Sequence, residues 1–406
     1  MASSPSASPA LVPFDRESRS YHLRWWILGV LCLSLLVIIV DNTILNVALP
    51  TIVRDLDASN SQLQWMVDSY TLVFAGLLLT AGSLGDRFGR RGALQVGMVV
   101  FGLGSVLSAF AETPNQLIFT RGVMGIGGAF IMPATLSIIT NVFPPEERGR
   151  AIGLWAAIAG VAGALGPISG GLLLERFYWG SIFWVNIPIV AIALFAGFSL
   201  IPTSRDPSKP ALDPIGALLS IIGLVALVYG IIQAPENGWT DPSILGTFAF
   251  AVAVLAMFAL WERRSPSPML DVTFFRNPRF SAASGGITLI FFAMFGSVFL
   301  LTQFLQFVMD YSPLQAGVRM LPFAATMLVV APNSPRFVER VGTKLVVGGG
   351  LTIAAGALVV MATLPGEGAS YWGDVAWRMM LMAAGIGLTM APATESIMGS
   401  LPRTKA

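Results

Sequence analysis

The chain has 406 residues, of which 55% are hydrophobic and only 11% charged, with 42 glycines and a formal net charge of +2. A soluble globular domain carries about a quarter charged residues, so this composition belongs in lipid. A single cysteine, Cys32, and a single histidine, His22, exclude disulfides, Cys/His metal sites, haem attachment and Cys/His catalysis, and both read as plain structural residues.

In chain order, the polar stretch MASSPSASPALVPFDRESRS cannot bury a core, and residues 1–24 are expected to form a disordered tail. A spanning helix needs about 20 apolar residues, and about a dozen such runs follow. They begin near Trp25, Gln62, Ala93, Gln116, Ala151, Ile182, Ile215, Ser243, Ser281, Pro313, Leu345 and Val375. The first run is too long for a signal peptide and lacks a small-residue cleavage site, so it stays as a helix. The predicted fold class is an all-α polytopic membrane protein.

Charge sets the predicted orientation. Arg54 and Arg176 fall in outer loops, while Arg121, Arg319 and Arg378 lie within or at the ends of apolar runs. The remaining basic residues, from Arg16 and Arg87 through Arg148, Arg263 and Arg336 to Lys405, all fall on the side of the N-terminal tail. The positive-inside rule then predicts a multi-pass chain with a cytoplasmic N-terminus.

Internal echoes divide the sequence. PATLSI at Pro133–Ile138 recurs as PATESI at Pro392–Ile397, and DRFGRR at Asp86–Arg91 is echoed by ERVGTK at Glu339–Lys344. Both pairs fall on the inner side, which predicts two related halves in parallel orientation, an arrangement found in secondary transporters. The predicted organisation is a six-helix half over 25–201, two linking helices over 202–265 and an incomplete half over 266–406 with about four of six helices. On that register the natural protein is expected to have about 14 helices, this chain to be short by two, and its transport alone to be poor or absent.

Several segments carry candidate chemistry. In the first run, DNTILNVALP places Asp41 and the amides of Asn42 and Asn46 inside a spanning segment. Arg121 opens RGVMGIGG in the fourth run. An intramembrane charge is costly unless it pairs or faces water, so each is a functional-site hypothesis. Asp41 lies in the outer half of a helix running outward and Arg121 in the outer half of one running inward, at similar depth. The alternatives are a structural hydrogen bond for Asp41 and a snorkelling side chain for Arg121. Trp65 and Tyr70 offer aromatic faces to a cation. Asp68 reads more as structural, and Glu395 as either a titratable group or a residue in cytoplasmic water.

Between the second and third runs, GSLGDRFGRRGAL combines glycines that tighten a turn with arginines that hold it at the inner interface. This segment resembles the signature loop of the major facilitator superfamily. The resemblance implies a gate latch with Asp86 as its acid and Gly82, Arg87, Gly89, Arg90 and Arg91 as its frame. In the second copy, Glu339 and Gly342 are kept but a threonine replaces the central arginine. Arg121 matches the family's fourth-helix motif, which implies a part in proton transfer. GVAGALGPISGG, Gly160 to Gly171, resembles the antiporter motif of exporters, with Gly163, Gly166, Pro167, Gly170 and Gly171 as its marked positions and Ala162 where the pattern expects glycine. Close helix packing without bearing on direction is the other reading of those glycines.

DNTILNVALP, FWVNIP at Phe183–Pro188, LDPIG at Leu212–Gly216 and YSPLQAGVRMLP at Tyr311–Pro322 resemble the 14-helix drug:proton antiporter branch of that superfamily. The implied function is proton-coupled efflux of lipophilic, cationic drugs or metabolites, with Asp41 exchanging a proton for the cation. No cofactor or metal is implied, the proton gradient being the energy source. The implied partners are a small molecule, protons and lipid, with no nucleic acid, and the unit is a monomer. No lysine follows a glycine, which removes the P-loop of an ATP-driven pump. No enzymatic constellation is visible. Proton-coupled uptake of a small solute and a non-transporting membrane sensor are the competing readings.

Overall fold

The computed structural model describes residues 19–204, 213–266, 268–366 and 368–400. Most of the expected tail, with Arg16, lies outside the described residues, as do Arg205, Lys209, Leu212, Arg403 and Lys405. Among the described residues, 12 helices are long and apolar enough to cross a membrane, and the protein is a multi-pass helical membrane protein.

The first six helices are α1 (Arg24–Leu56), α2 (Asn60–Phe88), α3 (Arg90–Ala109), α4 (Pro114–Val142), α5 (Pro145–Leu174) and α6 (Asn186–Leu200), the last preceded by a short turn at Ser181–Trp184. Then come α7 (Pro214–Asn237), α8 (Pro242–Glu262), α9 (Pro278–Gln303), α10 (Leu321–Val341), α11 (Thr343–Met361) and α12 (Trp377–Ser400). A short helix at Pro313–Arg319 leads into α10, and a wide turn at Tyr371–Ala376 leads into α12.

Nine helix starts, those of α1 to α5, α7 to α9 and α11, lie earlier than the apolar runs suggest, because polar residues and prolines sit in or before the first turn. At α4, the Thr113 hydroxyl accepts from Gln116 N while the Gln116 side chain accepts from Thr113 N, and Pro114 supplies a preset φ. Asp213, Asp241 and Asn277 cap α7, α8 and α9 by accepting from a backbone N–H of the first turn, without the reciprocal bond, and each is followed by a proline. The largest of these early starts is at α5, which begins at Pro145 rather than near Ala151. Its first turn is polar, with Glu146 and Glu147 at the positive end of the helix dipole, so hydropathy alone passes over it.

Gly89 joins α2 to α3 with φ 123°, and Gly342 joins α10 to α11 with φ 85°. Both backbones turn through a region that side chains disfavour, so the DRFGRR and ERVGTK echoes correspond to the same kind of junction. Pro133 and Pro392, from the other echo, each lie inside their helix, α4 and α12.

Packing separates the helices into neighbourhoods. Helix α1 packs on α4, α5 and α6, while α4 packs on α2 and α3. Helices α9, α10 and α11 all pack on α12. Helix α5 bridges the two groups by lying along α10 and α12. Helices α7 and α8 pair with each other, and α7 docks on α2, where Gly76 accommodates Val225.

Candidate transport site

Asp41 on α1 and Arg121 on α4 are both fully buried, and Arg121 Nη1 donates to Asp41 Oδ2. A buried guanidinium is tolerated only with its donors satisfied, and Arg121 distributes its donors over several helices. Nε donates to the Met66 carbonyl of α2 at 3.2 Å and Nη2 to Asn42 Oδ1 at 3.3 Å. Its guanidinium also lies over the Tyr70 ring, 4.7 Å from the centroid. Asn42 and Tyr70 therefore hold Arg121, and the aromatic face predicted for a substrate cation is occupied by the protein's own cation.

The other oxygen of Asp41 is held from α6. Asn186 Nδ2 donates to Asp41 Oδ1 at 2.8 Å and to Ser105 Oγ at 3.0 Å, and Ser105 Oγ donates to the Phe183 carbonyl at 2.8 Å. Asn186 is fully buried. Sequence reasoning gives it no role beyond its place in FWVNIP; the available signal is an amide inside an apolar run.

The remaining predicted residues fall elsewhere. Trp65 and Asp68 lie on the α2 face toward α7: the Trp65 ring sits 6.0 Å from that of Tyr229, and the Gln64 amide donates to the Ile232 carbonyl at 3.1 Å. Met66 and Tyr70, one turn apart, form the face toward Arg121. Asn46 is exposed, a turn beyond Asp41 on α1. Glu395 lies between α12 and α5, with Oε2 2.6 Å from where a Cβ on Gly149 would stand.

In the α2–α3 junction, Asp86 Oδ1 accepts from Arg90 Nε at 2.9 Å and from Ser137 Oγ of α4 at 3.4 Å. Arg91 reaches the Ile201 carbonyl at 3.3 Å and lies over Phe198, while Arg87 lies over Phe88. Gly82 packs against Pro133. These contacts tie the loop to its own group of helices.

The glycines of α5 serve two faces. A Cβ on Gly166 would stand 2.7 Å from Thr43 Cβ and 2.9 Å from Ile44 N, and one on Gly170 would stand 2.9 Å from Ile44 Cγ1, so these glycines permit the approach of α1. Toward the second group, Gly149 meets Glu395, Gly153 meets the Ala331 carbonyl at 2.6 Å, and Gly171 meets Leu314 N at 3.2 Å. Gly149 and Gly153 lie outside the glycine-rich motif, and sequence reasoning misses them. Pro167 lies inside α5 against the Gly317 side, and Gly163 has open space around it. That space is an apolar recess of about 20 Å³ between Ile39, Thr43, Gly163, Met294, Met320 and Phe323. It holds little more than one water molecule, so the two groups are closed on each other here. Thr43 lies two residues from Asp41 on a helix, which turns the Asp41 carboxylate away from the recess.

The Major Facilitator Superfamily profile matches residues 31–406. The protein belongs to that superfamily. This facilitator is 35% identical over 375 residues to the multidrug resistance protein Stp of Mycobacterium tuberculosis, covering 92% of this chain and 69% of Stp. It is 36% identical over 398 residues to the multidrug efflux pump LfrA of Mycolicibacterium smegmatis, covering 96% of this chain and 77% of LfrA. The solved human organic anion transporter MFSD10 (TETRAN) shares the fold with a TM-score of 0.58 at 16% identity, over 92% of this chain and 88% of that one.

Proposed function

We propose that this facilitator exports lipophilic, cationic drugs or metabolites in exchange for protons by alternating access. The observation that carries the reading is the fully buried Asp41–Arg121 pair, with the second Asp41 oxygen held by Asn186. An ionisable pair inside a membrane bundle is costly, and a proton relay gives it a purpose. The likeness to the multidrug resistance protein Stp and the multidrug efflux pump LfrA supports drug efflux as the direction and class of transport.

Asp41 is the proton-carrying group in this reading. Because its carboxylate is buried and turned from the recess, the cation competes with the proton indirectly. A proton on Asp41 dissolves the ion pair and frees Arg121, whose positive charge then opposes a cation in the cavity; loss of the proton restores the pair and removes that opposition. The recess between α1, α5, α9 and α10 is the place that opens to admit the cation's apolar body, since it lies where the two groups meet.

The reading includes a bacterial inner-membrane location with the basic loops in the cytoplasm. It also includes a division of labour between a first half at 25–201, linking helices at 202–265 and a second half from 266, acting as a monomer with lipid as its solvent. Asp86 and Arg90 act as the latch frame at the inner face, and Glu395 acts in closing the inner side against α5 rather than as a second proton site.

The test is proton movement in inside-out vesicles energised to an acidic interior. Adding a lipophilic cation is expected to release protons from vesicles carrying the wild type and not from those carrying Asp41→Asn. Cation-independent leak, or equal release by both proteins, sinks proton-coupled export through Asp41.

A further inference from the structure

We propose that Asn186 is a positioning residue that reads the protonation state of Asp41 by reversing its carboxamide group. This inference rests on the proton-coupled reading above and adds the device that carries the proton state from α1 to α3 and α6.

The groups of Arg121 and Asn186 that meet the Asp41 carboxylate both donate to it, as an ionised acid requires. Asn186 turns its NH2 group toward Asp41 Oδ1 and Ser105 Oγ, at 2.8 and 3.0 Å. Its carbonyl oxygen, Oδ1, is buried and has no hydrogen-bond partner. A buried acceptor left unpaired is unfavourable, and native cores leave few of them, so one placed beside an ionisable pair calls for a physical account. The titratable and charged groups facing Asp41 are Arg121 from α4 and Tyr70 from α2; α3 and α6 present the uncharged Ser105 and Asn186.

Protonation turns Asp41 from an acceptor into an O–H donor. With the NH2 of Asn186 facing it, two donors would then point at each other. A half-turn of the amide about its Cβ–Cγ bond places Oδ1 in front of the Asp41 O–H and also in front of Ser105. The Asp41 proton is then donated to Asn186 Oδ1. The Ser105 hydroxyl, which donates to the Phe183 carbonyl at 2.8 Å while Asp41 is charged, can turn and donate to the same Oδ1. The carbonyl that it leaves belongs to the short turn at Ser181–Trp184 that leads into α6. No atom other than the proton on Asp41 is gained or lost; the hydrogen bonds reverse direction along Asp41, Asn186 and Ser105. The unpartnered Oδ1 is thus the acceptor held ready for the protonated state.

The experiment is infrared difference spectroscopy of the purified protein across the pH range in which it stays folded, with asparagine labelled by ¹³C. The Asp41 band is the carboxylic C=O stretch that Asp41→Asn removes. In the wild type, an asparagine carboxamide carbonyl band is expected to shift in step with the Asp41 band, to persist in Asn42→Ala, and to be lost in Asn186→Leu. In Asn186→Leu the Asp41 C=O band is expected to move to higher wavenumber, because its O–H has lost its acceptor. An Asp41 band with no accompanying asparagine shift in the wild type overturns the amide reversal, whether or not Asn186→Leu folds. An asparagine shift that survives Asn186→Leu overturns the assignment to Asn186. Absence of any Asp41 band at all overturns the proton-carrying role of Asp41, and with it the reading on which this inference stands.

Discussion

Arg121 of α4 and Asp41 of α1 form an ion pair with no exposed side-chain surface on either partner. Removing one member strands the other, which in buried pairs costs about 3–5 kcal/mol. Arg121→Leu is therefore expected to lower stability by that order in denaturation of the detergent-solubilised protein. Arg121→Lys keeps the charge but cannot serve Met66, Asn42 and Asp41 at once, so it is expected to fall between. Combining Asp41→Asn with Arg121→Gln is expected to cost less than the sum of the two single changes, since neither charge is then stranded.

Gly166 and Gly163 separate packing from conformational effects on one helix. Gly166→Ala puts a methyl group against Thr43 and the Ile44 backbone, so α1 and α5 must part, at a cost of about 1–3 kcal/mol. Gly163→Ala meets nothing within 4 Å and improves helix propensity, so it is expected to be neutral or mildly stabilising. Melting temperatures of the two variants decide, and equal losses would contradict the assigned faces of α5.

At the two helix junctions, backbone conformation sets the expectation. Gly89→Ala and Gly342→Ala force a side chain into φ 123° and φ 85°, which costs on the order of 1–3 kcal/mol each. Gly92→Ala, with open space around it and no positive φ, serves as the tolerated control. Yields of folded protein and thermal denaturation read the contrast.

Contact between α5 and α12 can be captured chemically. Cys32 is the only cysteine, so a Cys32→Ser background carrying Gly149→Cys and Glu395→Cys offers a single pair, placed where Glu395 packs on the Gly149 backbone. A short bifunctional thiol reagent is expected to link them efficiently. Adding Gly153→Leu, which collides with the Ala331 carbonyl and Pro332, is expected to reduce the yield severalfold by separating α5 from α10. Unchanged linking would mean that Gly153 does not govern this closure.

Legibility in the sequence varies from residue to residue. Asp41 and Arg121 stand out because charge is rare in an apolar run and the desolvation cost demands a partner. Helix direction puts them at similar depth, so that they could meet; that they do is seen only in the structure. Asn186 is harder to see, because an uncharged amide does not stand out in the sequence as a charge does, although once buried it too needs partners. Trp65 groups with Tyr70 in the sequence because helix α2 is apolar on more than one side, which hides its phase. The contact of α2 with α7 sets that phase, and it is a tertiary fact. The glycine-rich α5 announces close approach, but glycines recur too often in this protein to reveal which of them face α1 and which face α10 and α12.

The mechanism turns on the buried Asp41 losing its proton as the cation enters. Proton release by the purified protein, in weakly buffered detergent solution when a lipophilic cation is added, reads that exchange without any gradient or vesicle. Saturable release that follows cation binding is expected in the wild type; Asp41→Asn, which leaves Arg121 without its counter-charge as the protonated acid does, is expected to bind the cation more weakly and to release no proton at cation concentrations that still fill it. Cation binding to the wild type without proton release, or undiminished release from Asp41→Asn, would contradict the exchange.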